Sequence, residues 1–297
     1  IPQYVDYLCK ELAITARIAK ENNLRLETVY MGGGTPTTLS AEQLNRVLAT
    51  VRDNFDMAAV REFTVEAGRP DTIDADKLMV IKQNGVTRIS INPQSMNDDV
   101  LECIGRRHTA SDTVKAFNLA RQIGFDNINM DLISGLPGDT FKSFKSTIDE
   151  ILKLDPESVT IHSLSMKRAS TLTVNGEFEH IKLGTEASKM VNYARKILTD
   201  NKILPYYMYR QSKTVGNLEN VGYAKQGYEG LYNVYIMDET HTILACGASA
   251  VTKLKDKTQK NIKRIFNFKY PYEYISGFNE LISRKKEIGE FYDKYFK

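Results

Sequence analysis

Gly32-Gly33-Gly34-Thr35-Pro36 is the segment of this sequence best suited to hold a ligand. It follows a strand-like run at 26–31 and precedes a helix that starts at Ser40. Glycines at the C-terminal end of a strand leave the backbone bare, so a ligand can approach it closely. Further polar groups fall at comparable places. Glu66 ends a second strand-like run, Gln94 follows a third, and Asp131 lies within a fourth. Each could simply cap the next helix, and the glycines could form a plain turn. Gathered on one rim of one sheet, they would make a small-molecule site. Arg106-Arg107-His108 reads as a basic turn, and His108 has no second His or Cys at ligand spacing, which argues against zinc.

The elements that must position these groups repeat one pattern of short apolar strand, loop and amphipathic helix. Strands are expected at 26–31, 61–66, 86–92, 127–133 and 158–163, all rich in β-branched or large apolar residues. Ser40-Ala41-Glu42-Gln43 predicts a capping box. Helices from about 74 and about 111 should stop at Asn84-Gly85 and Gly124, and another spans about 140–153. Strands alternating with helices imply right-handed crossovers and a parallel sheet. A further helix at about 4–20 precedes the first strand, which suggests a strand before it and hence an α/β fold of the partial (β/α)6 barrel type with its first strand missing. Beyond about residue 170 the pattern changes. A helix at 185–200 leads to strand-like segments at 206–210, 233–236 and 242–245, and a helix is expected at 271–295. The expected domains are 1–170 for the barrel and 171–297 for a C-terminal α+β accessory domain.

Composition sets the outer limits. The 297 residues carry a formal net charge of only +3, a weak argument for nucleic acid or a membrane surface. No run approaches the roughly 18 apolar residues of a spanning helix. The three cysteines, Cys9, Cys103 and Cys246, are too sparse for a disulfide framework, so a cytoplasmic protein is expected, and a monomer.

Taken in order, the motifs resemble the coproporphyrinogen dehydrogenase (oxygen-independent coproporphyrinogen III oxidase) family of radical S-adenosylmethionine (SAM) enzymes. Tyr30-Met31-Gly32-Gly33-Gly34-Thr35-Pro36 resembles its GGGTP segment, and Thr64-Val65-Glu66-Ala67 holds its glutamate. Ser90-Ile91-Asn92-Pro93-Gln94-Ser95 resembles its GVQS segment, and Ile104-Gly105-Arg106-Arg107-His108 its LGRxH segment. The run from Met130 to Thr140 is similar to DLIxGLPxQT, and Gly247-Ala248-Ser249-Ala250 to a late GxGAxS element. The stretch Arg210 to Tyr223 resembles the shorter Firmicute-type subgroup.

The resemblance implies SAM and a 4Fe-4S cluster as cofactors, with an electron donor or acceptor for the cluster. It implies that Gly33, Gly34 and Thr35 contact the methionine moiety of SAM. Glu66, Gln94, Arg106 and Asp131 would contact one or two SAM molecules, and Val251 adenosine. The implied reaction is oxidative decarboxylation of coproporphyrinogen III propionates to vinyl groups, giving protoporphyrinogen IX. Arg210, Lys213 and the basic run from Lys253 to Arg264 could meet the tetrapyrrole's carboxylates, and Tyr206, Tyr207, Tyr209 and Tyr223 its apolar face. The same lysines also suit a solvated edge strand, and the tyrosines a core. The family's C-x3-C-x2-C cluster loop is not in this sequence, so the cluster cysteines are expected upstream of Ile1. With no initiator Met, the chain is expected to be an inactive fragment of an active enzyme. A haem-binding chaperone, a haem-cleaving enzyme, a non-catalytic SAM or haem carrier, and an unrelated phosphate-binding barrel are the competing readings.

Overall fold

A computed structural model describes residues 1–165, 176–212, 214–258 and 260–296. Helix α1 (Pro2–Glu21) leads to five strand–helix units. The strands are β1 (Thr28–Met31), β2 (Glu62–Gly68), β3 (Arg88–Gln94), β4 (Ile128–Ser134) and β5 (Ser158–Ser163). Between them lie α2 (Ala41–Asn54), α3 (Ala75–Gln83), α4 (Asp98–Cys103), α5 (Ala110–Ile123) and α6 (Phe141–Leu154). Then follow α7 (Gly176–Asp200), β6 (Leu204–Tyr209), β7 (Asn220–Ala224) and α8 (Leu231–Asp238). The hairpin β8 (Val251–Lys255) and β9 (Ile262–Phe266) precedes α9 (Pro271–Ser276) and α10 (Phe278–Phe296).

One seven-stranded sheet runs in the order β1-β2-β3-β4-β5-β7-β6. Strands β1 to β5 are parallel, as the alternating pattern demands. Strand β7 is antiparallel to β5, and β6 is antiparallel to β7. Strand β6 therefore points the same way as β1 to β5, and its Tyr209 end reaches the same rim as their C-terminal ends. The sheet curls into a half-barrel.

Alternation along the strands explains both faces. Phe63, Val65, Ile89, Ile91, Ile128, Met130, Leu132, Val159 and Ile161 are almost wholly buried on the convex face. They pack against Leu44 and Leu48 of α2, Leu78 and Ile81 of α3, Phe117 of α5, and Phe144 and Ile148 of α6. Each such side chain contributes about 1.5–3 kcal/mol of burial. The intervening residues are polar and face the lumen: Glu62, Thr64 and Glu66; Arg88, Ser90 and Asn92; Asn129 and Asp131; Ser158, Thr160 and His162. Helix ends follow the expected chemistry. Ser40 and Gln43 exchange both capping-box bonds at 3.2 Å, and Gly124 closes α5 at φ 100°.

Two expected strands are corrected. Residues 233–236 belong to helix α8, and 242–245 form no regular strand, only the Ile243–Lys253 bridge beside β8. Helix α8 crosses the concave face and touches both edge strands, β1 and β6. Tyr232 stacks on Tyr30 at 4.3 Å, and Asn233 donates to the Tyr206 hydroxyl at 3.4 Å. The buried Glu62 carboxylate accepts the Leu231 and Tyr232 N–H groups at 2.6 and 3.4 Å, which fixes the helix start.

Candidate functional site in the half-barrel lumen

Strand β1 places Tyr30 toward the lumen and ends in the glycine loop. The Tyr30 hydroxyl donates to Glu66 Oε1 on β2, and Glu66 also accepts the Gly33 backbone N–H. Gly32 makes this closure possible, because a Cβ there would lie 2.5 Å from the Tyr30 ring and 2.8 Å from Glu66 Oε1. Gly33 and Gly34 adopt φ 78° and 62°, and a Cβ on either would have nothing within 4 Å, so their faces are open to a ligand. Thr35 opens the short turn 36–38, and Thr37 hydrogen-bonds the Ala67 carbonyl, tying the loop to β2.

On β4, Asp131 accepts the Asn129 side-chain amide at 2.7 Å and faces His162 Nε2 of β5 at 3.7 Å. Asn129 also donates to Ser90 at 2.8 Å and accepts from Thr160 at 3.2 Å. His162 Nδ1 lies 3.4 Å from the Tyr209 hydroxyl, and the Tyr209 ring stacks parallel to that of Tyr207 at 6.3 Å. Tyr30 and Glu66 on β1 and β2, and Asp131, His162 and Tyr209 on β4, β5 and β6, thus form two linked groups on one lumen face, coupled to each other through their charges.

Their electrostatics are coupled. Burial pushes the Glu66 carboxyl above the usual carboxylate range, and Asp131's charge adds to this against the Tyr30 hydrogen bond. Burial also acts on Asp131, but His162 and the Asn129 amide outweigh it and hold that carboxyl below its ordinary value. Burial opposes protonation of His162, yet pairing with Asp131 and the charge of Glu66 raise its pKa. Burial, with Glu66 beside it, pushes the Tyr30 phenol well up.

The other expected residues lie around this centre. Gln94 ends β3 at φ 70°, a left-handed conformation unusual for a side-chain-bearing residue, with Nε2 3.5 Å from the Asn92 carbonyl. Arg106 follows α4 and sits beside Arg69 and Asp71, just past β2; burial first, then Arg69, lowers its pKa. Val251 starts β8 and pairs with Phe266, outside the main sheet. The preceding residues Gly247–Ser249 instead line, with the glycine loop, a groove of about 2110 Å³ that Leu8, Leu12 and Ala16 of α1 also line. Groove and carboxylate cluster meet at Tyr30 and the glycine loop. Arg210 is exposed at the end of β6 and pairs with Glu219 at 2.8 Å. Lys213 lies outside the described residues. Within the basic run, Lys253 and Arg264 pair with Glu239 and Lys263 with Glu287, while Lys255 is buried. Tyr223 is buried in the core. Asn129, His162 and Tyr232 stand outside the sequence motifs, and Tyr30 stands in one without a role assigned to it. The signal for Tyr30, Asn129 and His162 is alternation within their strands.

The residues fit SAM. The bare glycine loop suits a close-packed ligand backbone, and the paired carboxylates suit its cationic and hydroxyl groups. They do not fit a 4Fe-4S cluster, which needs several converging thiolates. Cys9 is buried on α1, Cys103 is exposed on α4, and Cys246 lies 3.3 Å from Thr15 with its thiol pushed up to about 11, mainly by burial. Among the described residues no group of His, Cys, Asp and Glu could hold a metal ion. Nor, among them, is any helix long and apolar enough to cross a membrane.

Comparison with known proteins agrees with this geometry. The Radical SAM superfamily profile matches residues 2–151. The chain is 42% identical over 277 residues to the oxygen-independent coproporphyrinogen-III oxidase-like protein HemZ of Bacillus subtilis, covering 93% of this chain and 55% of that protein. It is 30% identical over 269 residues to the heme chaperone HemW of Lactococcus lactis, covering 90% of this chain and 67% of that one. The chain thus spans about half the length of the HemZ relative. Its fold matches Escherichia coli coproporphyrinogen III oxidase (HemN), described as a radical SAM enzyme, with a TM-score of 0.72 at 22% identity, over 94% of this chain and 62% of that one. Members of the superfamily use SAM and a 4Fe-4S cluster. On the profile, which spans half of the chain, this chain belongs to the radical SAM superfamily.

Proposed function

We propose that the lumen cluster binds SAM and that the protein acts on a tetrapyrrole. Gly33, Gly34 and Thr35 present backbone to the methionine moiety, Glu66 receives its amine, and Asp131 a ribose hydroxyl or the second cationic group. Gln94 and Arg106 complete the rim, with Arg106 facing a carboxylate. When bound with its cluster, SAM supplies the hydrogen-abstracting chemistry of this superfamily. The chain's own residues orient it and exclude water beneath α8. On this reading the full reaction is oxidative decarboxylation of coproporphyrinogen III, in which two propionates each lose CO2, a hydrogen and electrons to an acceptor and become vinyl groups. Tyr209 and Arg210, at the same rim as the strand ends, are the substrate-side contacts.

The observation that carries this reading is the joining of Glu66 to the glycine loop through Tyr30 and Gly33, with Asp131 on the same lumen face. Because the three cysteines do not assemble a cluster site, the test is binding rather than turnover. Calorimetric titration with SAM should show saturable binding, weakened at least tenfold by Glu66→Gln and by Asp131→Asn. Failure of SAM to bind, or wild-type affinity in both variants, removes the assignment. The likeness to heme chaperones favours a second reading, tetrapyrrole carriage without decarboxylation. Titration with haem and with coproporphyrin III separates the two: preference for haem favours the carrier, and preference for coproporphyrin III the decarboxylase.

A further inference from the structure

His162 is the one imidazole in the lumen cluster, set between Asp131 and Tyr209, and no motif accounts for it. It sits between two groups of different character. Its Nε2 faces the Asp131 carboxylate at 3.7 Å, and its Nδ1 faces the Tyr209 hydroxyl at 3.4 Å. The ring also lies edge-on to Tyr209, with centroids 6.5 Å apart. The other titratable groups that face it are few. Glu66 lies across the lumen on β2, Tyr207 and Tyr209 are on β6, and Tyr30 and Tyr232 flank Glu66. Burial raises the pKa of all four of these phenols, so they stay neutral through the physiological range. Arg88 on β3 and Glu62 on β2, also on the lumen face, carry opposite charges that interact with each other in both states of His162, and Ser90, Asn92, Asn129 and Thr160 line the lumen without titrating.

Counting charges then gives two states of the site. With His162 protonated and both carboxylates ionised, Glu66, Asp131 and His162 sum to about −1; with His162 neutral they sum to about −2. A ligand bearing a net positive charge, such as SAM with its sulfonium, ammonium and carboxylate, meets a competing cation in the first state and none in the second. Protonated His162 also occupies one oxygen of Asp131, which a ligand hydroxyl or ammonium would otherwise take.

We infer that His162 is a specificity-determining positioning residue, which by gaining or losing a proton sets how strongly the Asp131 side of the lumen accepts a cationic ligand. This inference rests on the SAM reading of the site. The sign follows from linkage: a bound cation disfavours protonated His162, so ligand affinity rises as pH increases through the His162 midpoint and levels off above it. On the acid limb the change approaches tenfold per pH unit. Protonation of Glu66 acts with the same sign, so the two contributions are separated by substitution.

The test uses the full chain and two readouts. The sequence holds four histidines, so the His162 ring resonance is assigned in proton NMR by its disappearance in His162→Gln. Its midpoint should fall in Asp131→Asn, and fall again in the wild type on saturation with SAM. Calorimetric SAM affinity measured across the pH range of the His162 titration seen by NMR should rise through the wild-type midpoint and lose that step in His162→Gln, keeping only the part due to Glu66. S-adenosylhomocysteine, which lacks the sulfonium charge, should show a smaller step. SAM binding whose pH profile is unchanged by His162→Gln overturns the inference and leaves the SAM reading standing. A His162 midpoint that does not move in Asp131→Asn overturns it as well, without reference to any ligand. Absence of SAM binding at every pH removes the proposed function and this inference together.

Discussion

Gly32 and Gly33 are neighbours with opposite reasons for being glycine. At Gly32 the limit is space. An added Cβ would meet the Tyr30 ring at 2.5 Å and the Glu66 carboxylate at 2.8 Å, and both are partners in the bond that joins β1 to β2. Gly32→Ala must push that pair apart, and overpacking of this kind costs about 1–3 kcal/mol. At Gly33 the limit is conformation, φ 78°, with open space where a Cβ would go. Gly33→Ala should therefore cost only about 1–2 kcal/mol of backbone strain. Its methyl would point into the space assigned to SAM. Urea unfolding and SAM titration of the two variants should dissociate: Gly32→Ala is the less stable protein, and Gly33→Ala shows the larger loss of affinity per kcal/mol of stability lost. Equal ratios for the two would mean that the loop is a structural turn and not a ligand contact.

At the scale of elements, the least legible piece is also the one that closes the lumen. Helix α8 reads as a strand because Val234-Tyr235-Ile236 is β-branched and aromatic, and a short apolar run carries no periodicity that separates the two. What makes it helical lies far off in sequence: Glu62 at the start of β2 accepts its first N–H groups, and Tyr30 and Glu27 hold Tyr232 and Tyr235. Strands β1 to β5 are legible because their apolar face is continuous and their helices carry caps such as Ser40 and Gly124. Glu66 is legible because it ends its expected strand, and Asp131 because it stands in the Met130–Thr140 run. Asn129 and His162 belong to no motif, although each stands two residues from a polar neighbour on its own strand, Asp131 and Thr160. The dependence of α8 on a remote carboxylate is testable. A hydrogen bond to a charged group is worth about 1.5–3 kcal/mol, so Glu62→Ala should destabilise the protein by that amount. Amide exchange should accelerate across 231–238 first. Unchanged protection there would show that Tyr232 and Tyr235 alone seat the helix.

For the whole molecule, the question is what joins the C-terminal hairpin and helices to the half-barrel. The answer is a buried ionic knot with Glu11 of α1 at its centre. Lys285 of α10 reaches Glu11 at 2.9 Å and the Ala245 carbonyl at 2.9 Å, and both side chains are almost entirely shielded from solvent. The same carboxylate accepts the Asn267 amide at 2.8 Å, the Gly247 N–H at 2.8 Å and the Tyr274 hydroxyl. Four segments distant in sequence are thus fastened to one side chain, and one of them, Gly247–Ser249, lines the groove that the glycine loop also lines. Removing one partner of such a pair strands a buried charge and costs about 3–5 kcal/mol, whereas replacing both with apolar residues of similar volume is often near neutral. Glu11→Leu and Lys285→Met should each lower stability by that amount, and the double variant should recover only part of it, because the other donors to Glu11 stay unpaired. If the knot also sets the position of the Gly247–Ser249 wall, the double variant should regain that part of the stability without regaining full SAM affinity, because the Gly247 N–H and the Asn267 amide have lost their common acceptor. Full recovery of SAM affinity would reduce the knot to a fastening with no bearing on the groove.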